Sequence, residues 1–154
     1  MLLQVACYRG PELYDSPHIQ NIWTKWAAHY KHYRPILMAD PVHVKRPTGN
    51  DYELTLSVRA PNQGAAAAAG PAAFGNLFNP TSRSIAIKTL TLPLYYAGVG
   101  VGSEVYLSWG GSLIDPSKWA VPGNSTATVL ADHTVRLTGV TMAPKSFLWC
   151  VVSE

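Results

Sequence analysis

The sequence predicts an all-β antiparallel fold, a sandwich or barrel, with one N-terminal amphipathic helix. Most of its apolar residues recur with period two in short runs, which is the pattern of half-buried strands. Turn signals built on Gly, Pro, Asn and Asp separate those runs, with 12 glycines and 12 prolines among 154 residues. Only one long stretch carries the three- and four-residue spacing of a helical face. A chain of this size buries roughly 68–70% of its unfolded surface. One domain over residues 1–154, with one core, is therefore expected.

Met1–Tyr8 is a short apolar run closed by Gly10-Pro11, so its length and punctuation favour a strand. In the next segment Ile19, Ile22, Trp23, Trp26, Ala27, Tyr30 and Tyr33 share one helical face. Ser16 can cap this helix, Pro17 suits its first turn, and Pro35 is expected to end it, which gives a helix over 17–33. Val42 and Val44 then alternate with polar neighbours, as do Tyr52, Leu54, Leu56 and Val58 beyond the turn Pro47–Asp51, and the two runs read as a hairpin. Along Ser84–Tyr96 the alternation runs through Ile85 and Ile87 and resumes one residue out of phase at Leu90, Leu92 and Leu94, so a β-bulge is expected near Thr89. Pro93 places the far half of that run at a sheet edge. Glu104–Trp109, Ala127–Leu130, Thr134–Thr138 and Ser146–Ser153 complete a set of about seven or eight strands.

Two connections are long. Residues 60–82 contain no charged side chain and are rich in Ala, Gly and Pro, with Phe74, Leu77 and Phe78 toward the far end, and they read as a loop that orders against a partner. Gly110–Gly123 reads as an ordered crossover in which Asp115 and Pro116 open one helical turn.

The composition excludes several function classes. Charged residues make only 14% of the chain against 47% hydrophobic and 10% aromatic, so a dense ionic shell is absent and part of the surface is expected to be covered. A formal charge of +3 is too small for nucleic acid to be the main partner. Lys25, Lys31, Arg34, Lys45 and Arg46 face Asp40 alone between residues 17 and 46, which suits an acidic partner better than DNA. No apolar run approaches the length that spans a bilayer, and the N-terminal run lacks the features of a secretion signal. Cys7 and Cys150 can form neither a four-ligand zinc site unaided nor a disulfide framework.

No catalytic set emerges either. His29 and His32 lie one helical turn apart, but the glutamate of an H-E-x-x-H site is missing, and Lys25, His29, His32 and Arg34 read as the solvated or partner-facing side of the helix. There is no G-x-S-x-G elbow, Asp132-His133 is an adjacent pair on a turn, and Asp51/Glu53 lies on one outer strand face. Gly98–Gly102 has the glycine count of a phosphate loop without its lysine, and a hairpin loop is expected there. Asn124-Ser125-Thr126 matches a glycosylation sequon by chance. Catalytic, cofactor and metal residues are thus expected to be absent. Trp109 and Trp149 fall in phase with apolar strand positions and read as core.

The segment FGNLFNPTSRSIAIKTLTL, Phe74–Leu92, resembles a pattern found in small structural proteins of tailed bacteriophages: LFNP, a small polar pair, then an apolar strand with a basic residue. The resemblance covers about 20 residues and implies a virion component of sandwich or jelly-roll type, such as a capsid decoration (cement) protein. The tryptophan-rich N-terminal helix departs from that pattern.

These readings converge on an all-β antiparallel sandwich of jelly-roll type and a non-enzymatic virion subunit. It is expected to self-associate, as a trimer if the resemblance holds, and to bind a major capsid or other virion protein. Trp23, Trp26, Tyr30, Phe74, Leu77 and Phe78 are the expected partner interface, because interface cores are depleted of charge and enriched in aromatics. The rival reading is a tail-associated carbohydrate- or receptor-binding module with Trp109, Trp119, Tyr95 and Tyr96 as its platform.

Overall fold

A computed structural model describes residues 16–59, 70–112 and 120–154. The strand expected at Met1–Tyr8, the helical turn at Asp115, the Ala-rich residues 60–69, Cys7 and Trp119 lie outside the described residues.

Helix α1 spans Pro17–Leu37. Its start follows the sequence: the Ser16 hydroxyl accepts from the N–H groups of His18 at 3.2 Å and Ile19 at 3.4 Å, with Pro17 in the first turn. Its end does not, because Pro35 lies inside the helix rather than beyond it. Proline in the last turn removes one intrahelical donor, and the turn closes around it through Met38 N–H to the Arg34 carbonyl at 3.0 Å. Continuing the helix by this turn carries Ile36 into contact with Phe74 and Val151, where it is 4% exposed. That burial offsets the missing bond.

Among the described residues ten strands follow: β1 (Asp40–Lys45), β2 (Glu53–Val58), β3 (Ala73–Phe78), β4 (Ile85–Ile87), β5 (Leu90–Pro93), β6 (Glu104–Gly110), β7 (Ser125–Thr128), β8 (Thr134–Leu137), β9 (Val140–Met142) and β10 (Phe147–Ser153). Every pairing is antiparallel. Six strands form one sheet in the order β1-β2-β3-β10-β6-β7, and β4 with β9 and β5 with β8 form two further pairs. The hairpin expected around Pro47–Asp51 is β1–β2, with a register shift between His43 and Lys45.

Two expectations about the chain path are corrected. The segment read as a charge-free loop over 60–82 contains β3, which lies in the middle of the sheet between β2 and β10. Its alternation is real but written in small residues. Gly75 lies against Leu56 and Cys150, Ala73 and Leu77 join the same cluster, and Phe74 turns to the opposite face. The phase slip near Thr89 is a break and not a bulge, since the chain leaves β9 as its partner at Ile87 and takes β8 from Leu90. Both sides of the break stay buried at Ile87, Leu90 and Leu92.

One buried cluster joins these elements: Leu54, Leu56 and Val58 from β2, Leu77 from β3, Val105, Leu107 and Trp109 from β6, and Leu148, Cys150 and Val152 from β10 meet Ile87, Leu90, Leu92, Val135, Val140 and Met142 from the smaller pairs. Asn79, of the Leu77-Phe78-Asn79-Pro80 motif, is itself fully buried. Its amide donates to the carbonyls of Arg83 and Ala143, both at 2.8 Å, and its oxygen accepts from the N–H and hydroxyl of Thr81 at 2.9 and 2.8 Å. A buried amide satisfied in this way fixes the turn between β3 and β4 to the turn before β10, so the motif is structural in this chain.

Candidate functional site

The second face of the six-stranded sheet is built from rings. Registers place Phe74 of β3 beside Val151 of β10, and Asn76 beside Trp149, in successive outward-facing rows. Trp149 in turn pairs with Gly110 of β6. A Cβ at Gly110 would lie 2.0 Å from the Trp149 ring, so only glycine lets the indole lie flat across the neighbouring strand.

Onto this layer α1 lays Trp26, His29, Tyr33 and Ile36, positions that repeat at helical spacing on one face. Trp26 meets Phe147 at 5.5 Å between centroids, His29 meets Trp149 at 5.1 Å and Phe74 at 6.0 Å, and Tyr33 meets Phe74 at 5.1 Å. Edge and tilted geometries dominate, as ring quadrupoles favour. Burial pushes the His29 pKa below its ordinary value, aided by repulsion from His32, and pushes the Tyr33 phenol up. The indole N–H of Trp149 is buried with no hydrogen-bond partner among the described residues. His29 therefore belongs to the face packed on the chain's own sheet, contrary to its expected place on the solvated or partner-facing side with Lys25, His32 and Arg34.

The six expected interface residues divide. Trp26 and Phe74 come together in the ring layer, but Phe74 is 1% exposed beneath the helix, and Leu77 is wholly buried in the cluster on the other face of the sheet. Strand alternation separates these two neighbours, and neither offers surface to a partner. Phe78 ends β3 half exposed, opposite Phe147. Trp23 and Tyr30 lie half-buried on α1. The Tyr30 hydroxyl reaches Met38 Sδ at 3.5 Å, and Met38, which the sequence reading did not single out, is 68% exposed. Ile19 is exposed on the same helix.

A second surface gathers residues distant in the chain. A single helical turn at Tyr95–Ala97 follows β5, anchored by buried Leu94 and Ala97 and ended by Gly98 in the left-handed conformation. Its neighbour is the turn before β8, where His133 also adopts a positive φ of 56° and its carbonyl accepts from Leu94 N–H at 2.8 Å. Asp132 shapes that turn by accepting from the Thr134 hydroxyl and backbone and from Arg136, bonds that hold its carboxyl below the ordinary range. The Tyr95 ring packs at 5.3 Å against His133 and at 5.4 Å against Tyr96. With Asp40 and Val42 of β1, Val58, Gly98, Val99 and Gly100 they line an open cavity of about 500 Å³.

Trp109, offered as part of an aromatic platform, is a core residue and is not among the described residues that line this cavity. Its backbone N–H donates to the Asn124 side chain at 3.1 Å, which occupies the sequon asparagine in a structural bond. Among the described residues no three His, Cys, Asp or Glu side chains cluster closely enough to hold a metal ion, and no helix is long and apolar enough to cross a membrane. Compared with known proteins, the chain matches no family model, no curated protein and no solved structure.

Proposed function

We propose that this chain is a non-enzymatic structural subunit that works through protein–protein contacts, associating with its own copies and with a larger lattice such as a bacteriophage head. The observation that carries this reading is the mismatch in α1 between what is apolar and what is covered. Of 21 helical residues only Ile36 is buried, while Ile19 is exposed and Met38, just beyond the helix, is 68% exposed, with Trp23 and Tyr30 half-buried on the same helix. Exposed apolar side chains next to half-buried aromatic ones, with Arg34 between Tyr30 and Met38, suit a protein–protein contact, where aromatics and Arg are enriched. The virion setting and the role of capsid decoration protein come from the resemblance of Phe74–Leu92, as does the trimer. The sandwich reading of the fold belongs to the same proposal. It is supported by the single cluster shared between the six-stranded sheet and the two smaller pairs, and jelly-roll connectivity is its finer form.

Sedimentation velocity on the intact chain, with and without the paired substitutions Trp23→Ser and Met38→Ser, tests the proposal. The native chain is expected to sediment as an oligomer and the variant as a monomer with an unchanged circular dichroism spectrum. Co-sedimentation with phage particles that lack the protein then tests the lattice contact. A native monomer at tens of micromolar that binds no particle would refute the reading.

A further inference from the structure

We infer that the cavity between the Tyr95–Tyr96 turn and the edge strand β1 is a carbohydrate-binding site that takes a neutral pyranose. The site is distinct from α1. Its volume of about 500 Å³ falls within the roughly 300–1,000 Å³ of small-ligand sites.

The lining chemistry selects the ligand. Tyr95 and Tyr96 are 64% and 57% exposed, unusual for adjacent aromatic residues held on an ordered turn, and their rings stand at 85° to each other. One ring can thus lie under the C–H face of a sugar while the other walls its edge. Val42, Val58 and Val99 extend the apolar surface, and the lack of a side chain at Gly98 lets a ligand approach the backbone.

Polar groups complete the set. His133 Nδ1 is buried and has no hydrogen-bond partner among the described residues, although its backbone is fixed on both sides of the turn. His133 lines the cavity from a turn held at positive φ, and its imidazole is the polar group on that side. Asp40 supplies a carboxylate acceptor at the other side. Hydroxyl groups both donate and accept, so they can satisfy an imidazole nitrogen and a carboxylate together.

The same lining disfavours other ligand classes. Among the described residues no Lys or Arg lines the cavity, so a phosphate, a nucleic acid backbone or an acidic sugar finds no counter-charge there and meets the Asp40 carboxylate instead. Among the described residues the one carboxylate and one imidazole at the cavity are too few to hold a metal ion.

Saturation-transfer NMR on the intact chain tests the site, with cellotriose, maltotriose, mannotriose and chitotriose as neutral probes and trigalacturonate as the acidic control. Transfer to ring C–H protons of at least one neutral probe is expected, and none to the acidic one. Tyr95→Ala and Tyr96→Ala should each weaken binding by roughly tenfold or more, because each removes a stacking face, while Tyr95→Phe keeps the face and should bind nearly as well as the native chain. Both side chains project into solvent, so thermal melts of the alanine variants should match the native chain and confirm folding. Trp23→Ser, on α1, should leave sugar binding intact even where it disrupts assembly, which separates failure of this site from failure of the assembly reading. Transfer to no neutral probe, transfer confined to the acidic one, or transfer that survives the Tyr95→Ala/Tyr96→Ala double substitution would overturn the assignment.

Discussion

One face of the six-stranded sheet is closed by Leu54, Leu56, Leu77, Leu107, Leu148 and Cys150, none more than 1% exposed, while the other is closed by rings and by a helix that buries one residue. The first face is covered by strands that bring their own aliphatic side chains, so burial is complete and reciprocal. Among the described residues the second is covered by a helix, and of its rings Phe74 is buried while Trp26, His29, Tyr33 and Trp149 are only partly so. Burial on the scale of the first face sets global stability, since each fully buried aliphatic side chain contributes roughly 1.5–3 kcal/mol. The helix face adds less per residue and can open by itself, as regions of low contact density do. The difference separates a scaffold from a cover.

The largest expected effect breaks the scaffold. Leu107→Ala should cost about 2–5 kcal/mol, read as a lowered urea midpoint, because the closed packing around it cannot relax into the space left. Cys150 reports the same event independently. Burial pushes its thiol pKa up to about 12, so the native chain should resist alkylation at Cys150 near neutral pH. Peptide-level mass spectrometry should find faster labelling there in Leu107→Ala. A loss below about 1 kcal/mol would show that the aliphatic face is less tightly closed than its burial implies.

The next effect lies between the faces. Gly110→Ala places a methyl group 2.0 Å from the Trp149 ring, so the indole must leave its place and the rings above it must follow. A cost of about 1–3 kcal/mol is expected, the range of overpacked sites, with a red-shifted tryptophan emission but a fully protected Cys150. Exposure of Cys150 in this variant would mean that the two faces open together.

How much of this was legible in the sequence depended on whether a segment wrote its period in large side chains. The β1–β2 hairpin and the strands around Val105 and Leu148 were readable because branched and aromatic residues alternate there with polar ones. The central strand β3 was not, since Ala73 and Gly75 face the core on the same side as Leu77 and look like low complexity until Leu56 and Cys150 are seen to fill the space they leave. Pro35 misled for a different reason: a tertiary contact at Ile36 outweighed a local rule. Likewise His29 reads as polar on a helical wheel, yet an uncharged imidazole serves as one more ring. Spacing alone put Trp23 and Tyr30 on one stripe with Trp26 and Tyr33 and did not separate the ring layer from the rest of that stripe. The Tyr95–His133 cavity was only half visible, because the tyrosines are adjacent in sequence whereas His133 and Asp40 reach them through the fold.

A smaller effect follows from that imidazole. His29 has a folded pKa below the ordinary 6.5, so the folded state prefers it neutral and any released state binds the proton first. Stability is therefore complete above pH 6.5 and declines as pH falls through that value toward the lowered one. The native urea midpoint should drop between about pH 7.5 and pH 5, and His29→Leu should remove the part of that drop due to this residue. An equal drop in His29→Leu would assign the acid sensitivity elsewhere.

The smallest expected effect comes from a charge pair at the edge of the sheet. In the β1–β2 connection Lys45 pairs with Asp51 and lies over the Tyr52 ring, with its amine 3.7 Å from the ring centroid, while Asp51 also accepts from Tyr52 N–H at 2.8 Å. The hydrogen bond from Lys45, with that backbone bond, holds the Asp51 carboxyl below its ordinary value of 3.8. Its contribution is present above that value and is lost as pH falls through the folded one. Both partners are about a third exposed or more, so solvent screens the pair and Asp51→Asn should cost under about 1 kcal/mol near neutral pH. The cost should shrink in about 1 M salt and vanish in acid, where native Asp51 is itself neutral. Tryptophan emission and Cys150 labelling should stay at native values, because the hairpin is held by its ladder and by Val42, Leu54 and Leu56 rather than by the charge pair. A larger loss, or one that moves either reporter, would show that the edge of the sheet is coupled to both faces and would remove the distinction between scaffold and cover.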